Sequence, residues 1–279
     1  MTTIGVFSQK GGIGKSTVLE ILANTIHTRF NPNYNNKKVL VIDADFPQLS
    51  IYNLRQREIK LLTTEGINNE YYVNKYKKTY KNGFKPHNVI PKDVLDIPFF
   101  LKNEVKDLYD FVFIDIVGSI NSKGLDSNLF ELCDYIVIPT SVNYDDMISN
   151  LTYIQSLILP LKSGKFSKEF LIEREKNKEK AEEKLKKGGF IKYSSLKDFS
   201  VIFNRIDNNI NGDVKSYNDW KKILSKHKIK VFDNILYSRK KYARYHIQDH
   251  KTGFKTSIFP LTDTYTNRLT EEFLNFTKK

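Results

Sequence analysis

One cysteine, Cys133, stands in a chain of 279 residues, alongside two methionines and one tryptophan. A single thiol excludes an internal disulfide and any cysteine-rich metal site, and it accords with a reducing compartment such as the cytoplasm. No apolar run approaches the roughly eighteen residues of a membrane span. No charged leader or cleavage signal precedes the first apolar stretch, Ile4-Gly5-Val6-Phe7, so an unprocessed chain outside the membrane is expected. Acidic residues are in the minority, 32 Asp and Glu against 45 Lys and Arg, which leaves a formal charge of +13 and a pI near 9.4. That balance favours a polyanionic partner, either DNA or an anionic membrane surface, and does not choose between them. A lysine- and asparagine-rich composition can equally reflect the base composition of coding DNA. Hydrophobic residues make up 40% of the chain, with 19 Phe and 16 Tyr, enough to fill the core of one large α/β domain. A single domain over residues 1–279 is therefore expected.

Directly after the first apolar stretch comes Ser8-Gln9-Lys10-Gly11-Gly12-Ile13-Gly14-Lys15-Ser16-Thr17. A phosphate-binding loop needs glycines so that backbone N–H groups converge on phosphate oxygens, a lysine to neutralise the β/γ charge, and a hydroxyl to hold Mg²⁺. Gly11, Gly12, Gly14, Lys15 and Ser16 supply all three. Gln9 stands where the strict G-x-x-x-x-G-K-[ST] pattern has glycine, and Lys10 adds a second lysine. The following segment, with Val18, Leu19, Ile21, Leu22 and Ile26 at helical spacing, reads as a helix whose N-terminus faces the phosphates.

Two further apolar runs end in carboxylates. Val39-Leu40-Val41-Ile42 leads into Asp43-Ala44-Asp45, and Phe111-Val112-Phe113-Ile114 leads into Asp115. Continuous apolar runs suit buried parallel strands, and the carboxyl ends of such strands are where α/β sheets place ligands. A strand-end Asp can also simply cap the next helix or turn. Cys133-Asp134-Tyr135-Ile136-Val137-Ile138-Pro139-Thr140 and Val201-Ile202-Phe203-Asn204-Arg205 read as two more buried strands, with Cys133 a small spacer. Residues 51–108 are less legible, and their lysine- and tyrosine-rich stretches read as helix faces or loops with tyrosines half packed.

The two-lysine loop closely resembles the deviant Walker A motif of the ParA/MinD family of P-loop ATPases, and the later strands follow in that family's order. The resemblance implies a doubly wound, mainly parallel α/β sheet and an ATPase using ATP and Mg²⁺. It implies that Lys15 serves its own nucleotide while Lys10 crosses to the partner's in an ATP-bound sandwich homodimer. Residues 10–17, that is Lys10, Gly11, Gly12, Ile13, Gly14, Lys15, Ser16 and Thr17, would hold the nucleotide, with Asn204 reading adenine and Arg205 beside it. Asp45 would orient the attacking water, Asp115 would act as Walker B with Ser16 on Mg²⁺, and Asp43 would support the metal shell from beneath. Departures from the family are Phe46, an extra residue before Pro47, and Ile116-Val117-Gly118-Ser119, where a proline-containing turn is usual.

The charged stretch at about 162–190, bounded by Gly164 and Gly188-Gly189, reads as a solvated helical insertion. Arg239, Lys240, Lys241 and Arg244 are candidates for non-specific DNA contact through phosphates. The last segment, with Leu269, Phe273, Leu274 and Phe276 but also Glu271 and Glu272, is expected to pack on the core rather than on a membrane. The resemblance thus implies a slow, partner-stimulated ATPase of plasmid or chromosome partition, with non-specific DNA and a ParB-like activator as partners and a cytoplasmic, nucleoid-associated location. A MinD-like membrane-cycling ATPase and an accessory ATPase of a conjugative or mobile element are the alternatives. An iron–sulfur reductase with this loop is excluded, because it would need two cysteines per subunit.

Overall fold

The computed structural model of the chain describes residues 1–28, 37–63, 70–80, 85–105, 107–116, 132–163, 196–207, 209–237 and 264–278. In chain order the elements are β1 (Thr2–Val6), α1 (Lys15–Thr28), β2 (Val39–Asp43), α2 (Ser50–Thr63), α3 (Glu70–Thr79), β3 (Asn88–Pro91), α4 (Ile97–Asn103) and β4 (Phe111–Asp115). They continue with β5 (Tyr135–Thr140), α5 (Tyr144–Tyr153), a π-helical turn (Ile154–Ile158), α6 (Leu159–Ser163), β6 (Asp198–Ile206), α7 (Asn211–Lys226), β7 (Leu236–Tyr237) and α8 (Thr264–Thr277). Seven parallel strands form one sheet in the order β3-β2-β4-β1-β5-β6-β7.

Period-two alternation sends the side chains of each central strand to opposite faces. Val39, Val41, Phe111, Phe113, Tyr135 and Val137 pack with α1 and α8. Leu40, Ile42, Val112, Ile114, Ile136 and Ile138 pack with α4, α5, α6 and α7 on the other face. Both faces are covered, which is why these strands read as unbroken apolar runs. Burying each such large side chain stabilises the fold by about 1.5–3 kcal/mol. On β1, a Cβ at Gly5 would lie 2.9 Å from the Sγ of buried Cys133, so these two small residues set how closely β1 and the chain entering β5 approach.

The last helix seals the α1 face, as its sequence led one to expect. Phe273 sits 5.8 Å from the Phe113 ring, and Phe276 lies edge-on to Tyr135 at 5.1 Å. The Tyr135 hydroxyl donates to the Thr277 carbonyl at 3.1 Å. Glu272 is not an exposed charge interrupting an amphipathic face: its carboxylate accepts from the backbone N–H of Asp233 at 2.6 Å and of Asn234 at 2.9 Å. Among the described residues, no helix is long and apolar enough to cross a membrane. The charged stretch expected at 162–190 lies outside the described residues beyond Ser163.

Candidate nucleotide site

Register places Val6 and Asp43 on either side of Asp115, so β1, β2 and β4 finish level and their outgoing loops crowd at one edge. The chain turns toward β2 from one side of β1, while β5 borders its other side. Such a switch point opens a crevice at the carboxyl ends of the strands.

The loop after β1 is built in two halves. Its leading half docks on α5 through three consecutive side chains. The Ser8 hydroxyl donates to Asn150 Oδ1 at 3.3 Å, Gln9 Oε1 accepts from the Ser149 hydroxyl at 2.7 Å, and Lys10 Nζ lies 3.1 Å from Asp146 Oδ1. Residues 146, 149 and 150 share one helix face at i, i+3 and i+4 spacing. Asn143 caps α5 by accepting from the Asp145 N–H at 2.9 Å, and Ser141 Oγ donates to Asp146 Oδ2 at 2.6 Å. Asp146 therefore sits in a first helical turn that favours negative charge.

The trailing half wraps into α1. Gly12 and Gly14 hold φ of +75° and +94°, left-handed backbone that side-chain-bearing residues resist. Gly14 also accepts from the Val18 N–H at 2.9 Å, the first helical bond of α1. Lys15 is buried at 8% exposure, whereas the Lys10 side chain is 43% exposed. The two lysines thus differ in kind: Lys15 is buried, and Lys10 is half-exposed and paired with Asp146. Ile13 is buried, and Ser16 and Thr17 are half-buried on the first turn of α1.

The two strand-end carboxylates also part company. Asp43 Oδ2 accepts from the backbone N–H of Ile51 and of Tyr52, both at 2.9 Å, and Oδ1 accepts from the Asp45 N–H at 3.3 Å. It thereby anchors the start of α2. Burial raises its pKa, opposed by those three hydrogen bonds. Asp115 is fully buried, and among the described residues neither of its carboxylate oxygens has a partner at full hydrogen-bond geometry, the Ser16 hydroxyl giving it only partial support. Burial pushes its pKa up to about 7, with Ser16 and Lys15 opposing the rise and Asp43 and Asp45 adding to it. A buried carboxylate so sparsely satisfied beside a lysine and a hydroxyl is an unfinished constellation that a hard cation would complete. Among the described residues no group of three or more His, Cys, Asp or Glu is placed to hold a metal. A cation here would take most of its ligands from phosphate and water, as Mg²⁺ does.

Asp45 is half-buried on the turn between β2 and α2, where its carbonyl accepts from the Leu49 N–H at 2.8 Å. Phe46 is 48% exposed, so the extra residue points outward from the turn. Asn204, at the end of β6, is buried under the loop: its Nδ2 donates to the Ile13 carbonyl at 2.8 Å and its Oδ1 accepts from the Arg205 N–H at 2.9 Å. Arg205 is exposed. The DNA candidates Arg239, Lys240, Lys241 and Arg244, and residues Val117, Gly118 and Ser119, lie outside the described residues. Asp146, Ser149 and Asn150 were not singled out from sequence. The available signal was topological: the helix after β5 must begin beside the loop after β1 once those strands are neighbours.

Residues 1–162 match a family model described as an AAA domain. No curated protein matches the chain by sequence. Solved structures match along nearly its whole length. A Borrelia burgdorferi protein assigned to plasmid partition, solved with AMPPNP, is 21% identical with a TM-score of 0.51, and 99% of this chain and 98% of that one are covered. A chain of the MinC:MinD cell division complex of Aquifex aeolicus is 16% identical with a TM-score of 0.56, covering 100% of this chain and 96% of that one. The ParA of pNOB8, solved bound to nonspecific DNA, is 19% identical with a TM-score of 0.54, covering 99% and 98%.

Proposed function

Because the chain belongs to the AAA-domain family, as a P-loop ATPase of the ParA/MinD type, we propose that it is a partition ATPase whose ATP-bound sandwich dimer binds DNA without sequence preference. The observation that carries this reading is the inequivalence of its two lysines. Lys15 is buried and suited to its own nucleotide, while the Lys10 side chain is 43% exposed and paired with Asp146 at 3.1 Å, so that on leaving that carboxylate it can reach a second subunit's phosphates.

In this reading the loop's backbone N–H groups and Lys15 hold the phosphates, and Gly11, Gly12, Ile13, Gly14, Ser16 and Thr17 shape the cradle at the start of α1. Ser16 and Asp115 would hold Mg²⁺, which neutralises charge on the phosphates when bound. Asp43 sets the position of α2 and the turn that carries Asp45, and Asp45 aligns the attacking water. Alignment and charge stabilisation are what phosphoryl transfer asks of a protein. Lys10 supplies positive charge that only a closed dimer brings to bear, which couples turnover to association.

The formal charge of +13 and the DNA-bound relative support DNA as the polyanion. A ParB-like activator belongs to the proposal through the family resemblance alone. The packing of α8 supports this over a membrane cycle, since its apolar face already covers α1 and the sheet. DNA binding measured with ATP, with ADP and without nucleotide, at two salt concentrations, tests the proposal on wild type, Asp45→Ala and Lys10→Ala. Binding that needs ATP, weakens steeply with salt, persists in Asp45→Ala and disappears in Lys10→Ala is expected. Hydrolysis with no DNA binding in any state would refute the DNA reading.

A further inference from the structure

Resemblance assigns Asn204 to the adenine base, yet the amide lies beneath the phosphate loop. We propose that Asn204 is a positioning residue for the phosphate cradle, holding the Ile13–Gly14 peptide so that the Gly14 N–H faces the anion. The inference rests on the nucleotide reading above and gives one of its residues a different task.

The geometry is specific. Asn204 Nδ2 donates to the Ile13 carbonyl at 2.8 Å. In a planar trans peptide the carbonyl and the following N–H point opposite ways. Drawing the Ile13 carbonyl down toward β6 therefore turns the Gly14 N–H away from the sheet, into the loop. The two residues also exclude alternatives at each other's position. A Cβ on Gly14 would lie 2.3 Å from Asn204 Nδ2, so the amide occupies the space that any side chain at 14 would fill.

The other end of the amide is held as firmly. Asn204 Oδ1 accepts from the Arg205 N–H at 2.9 Å, which fixes which end of the side chain carries the oxygen. Arg205 adopts φ of +63°, and the β6–β7 register shifts between Asn204 and Ile206. A bulge of this kind re-aims a neighbouring side chain. Here it directs the amide under the loop and leaves Arg205 exposed at its rim. One of the amide's two N–H donors and one of its oxygen's two acceptor sites are committed within the chain, which fixes its orientation beneath the loop.

A base reader and a loop holder differ in what they discriminate. Affinities for Mg²⁺ complexes of ATP, GTP and inorganic tripolyphosphate would be measured by calorimetry for wild type, Asn204→Asp and Asn204→Ala, with thermal melts to confirm folding. Asn204→Asp keeps the acceptor for Arg205 and sets an oxygen against the Ile13 carbonyl. Asn204→Ala removes the amide without adding charge, and serves if the first variant does not fold. Loss of one such hydrogen bond should weaken all three ligands by a common factor of about tenfold. The ATP:GTP ratio should stay at its wild-type value, and KM should rise about tenfold with kcat within about twofold. Unchanged tripolyphosphate affinity with a lost preference for ATP over GTP would overturn the inference and restore the base-reading role. A wild-type protein that binds neither ATP nor tripolyphosphate would instead sink the nucleotide reading, and this inference with it.

Discussion

Lys10 cannot be paired with Asp146 and reach across a dimer at once, so breaking the pair should strengthen ATP-dependent association. Asp146→Asn is the least invasive break, because an amide oxygen can still accept from Ser141 Oγ, which now lies 2.6 Å from the Asp146 carboxylate. The Lys10 side chain is 43% exposed and that of Asp146 21%, which places the pair in the weak, solvent-screened class at about 0.5 kcal/mol. A symmetric dimer releases two such pairs, about 1 kcal/mol in all, or roughly fivefold in the dimer Kd. The assay is sedimentation equilibrium with ATP across a protein concentration series, in an Asp45→Ala background so that hydrolysis does not drain the dimer. A roughly fivefold gain at low salt, shrinking below about twofold near 0.5 M, is expected as the ionic atmosphere weakens the monomer's ion pair. In a Lys10→Ala background, where the much weaker residual dimer is read at higher protein concentration, the gain should vanish, since the cycle isolates the pair. A dimer that weakens, or that tightens equally with Lys10 absent, would refute the reasoning.

Other outcomes follow from the same contacts. Asp115→Asn should abolish Mg²⁺-dependent turnover and stabilise the nucleotide-free protein in EDTA. The buried carboxyl of wild type keeps its proton up to about pH 7 while the unfolded chain releases it near 3.8, so stability is lost as pH rises between those values. The advantage of Asn over Asp in urea unfolding should therefore grow by about 2–3 kcal/mol from about pH 5 to about pH 8, and a pH-independent difference would count against the burial argument. Gly5→Ala should cost about 1–3 kcal/mol because the new methyl meets Cys133 Sγ at 2.9 Å. Cys133→Ala in the same chain should return part of that loss, and additive effects in denaturant midpoints would show that the two sites do not touch.

Much of the sheet was legible because its central strands are buried on both faces, and burial on both faces leaves unbroken apolar runs at β1, β2, β4, β5 and β6. The edges were not. In β3 only Val89 is buried, and β7 has two residues, too few for a pattern to show. The site was legible as composition and obscure as division of labour. Asp43 and Asp115 look alike at the ends of apolar strands. They differ because a tight turn at 44–49 brings the first N–H groups of α2 back onto Asp43, a consequence of loop conformation that residue types do not encode. Asn204 was visible as an amide at a strand end, but its direction depends on the Arg205 bulge. Asp146 became meaningful only when β5 was seen beside β1.

The position of β1 bears on how such a chain is made. Its two neighbours are β4 and β5, paired through contacts such as Thr2 with Phe111 and Ile4 with Tyr135. During synthesis this central strand precedes both of its neighbours and waits, one hydrogen-bonding edge open until β4 at Phe111–Asp115 has left the ribosome and the other until β5 at Tyr135–Thr140 has followed. Pairings so distant in sequence close slowly. An early strand with unmatched edges is a template for association between nascent chains. The phosphate loop hangs from this same strand and gains its supports from α5 and β6, so the site forms only when most of the sheet has assembled. Truncation from the C-terminal side should therefore lose nucleotide binding well before it reaches the loop.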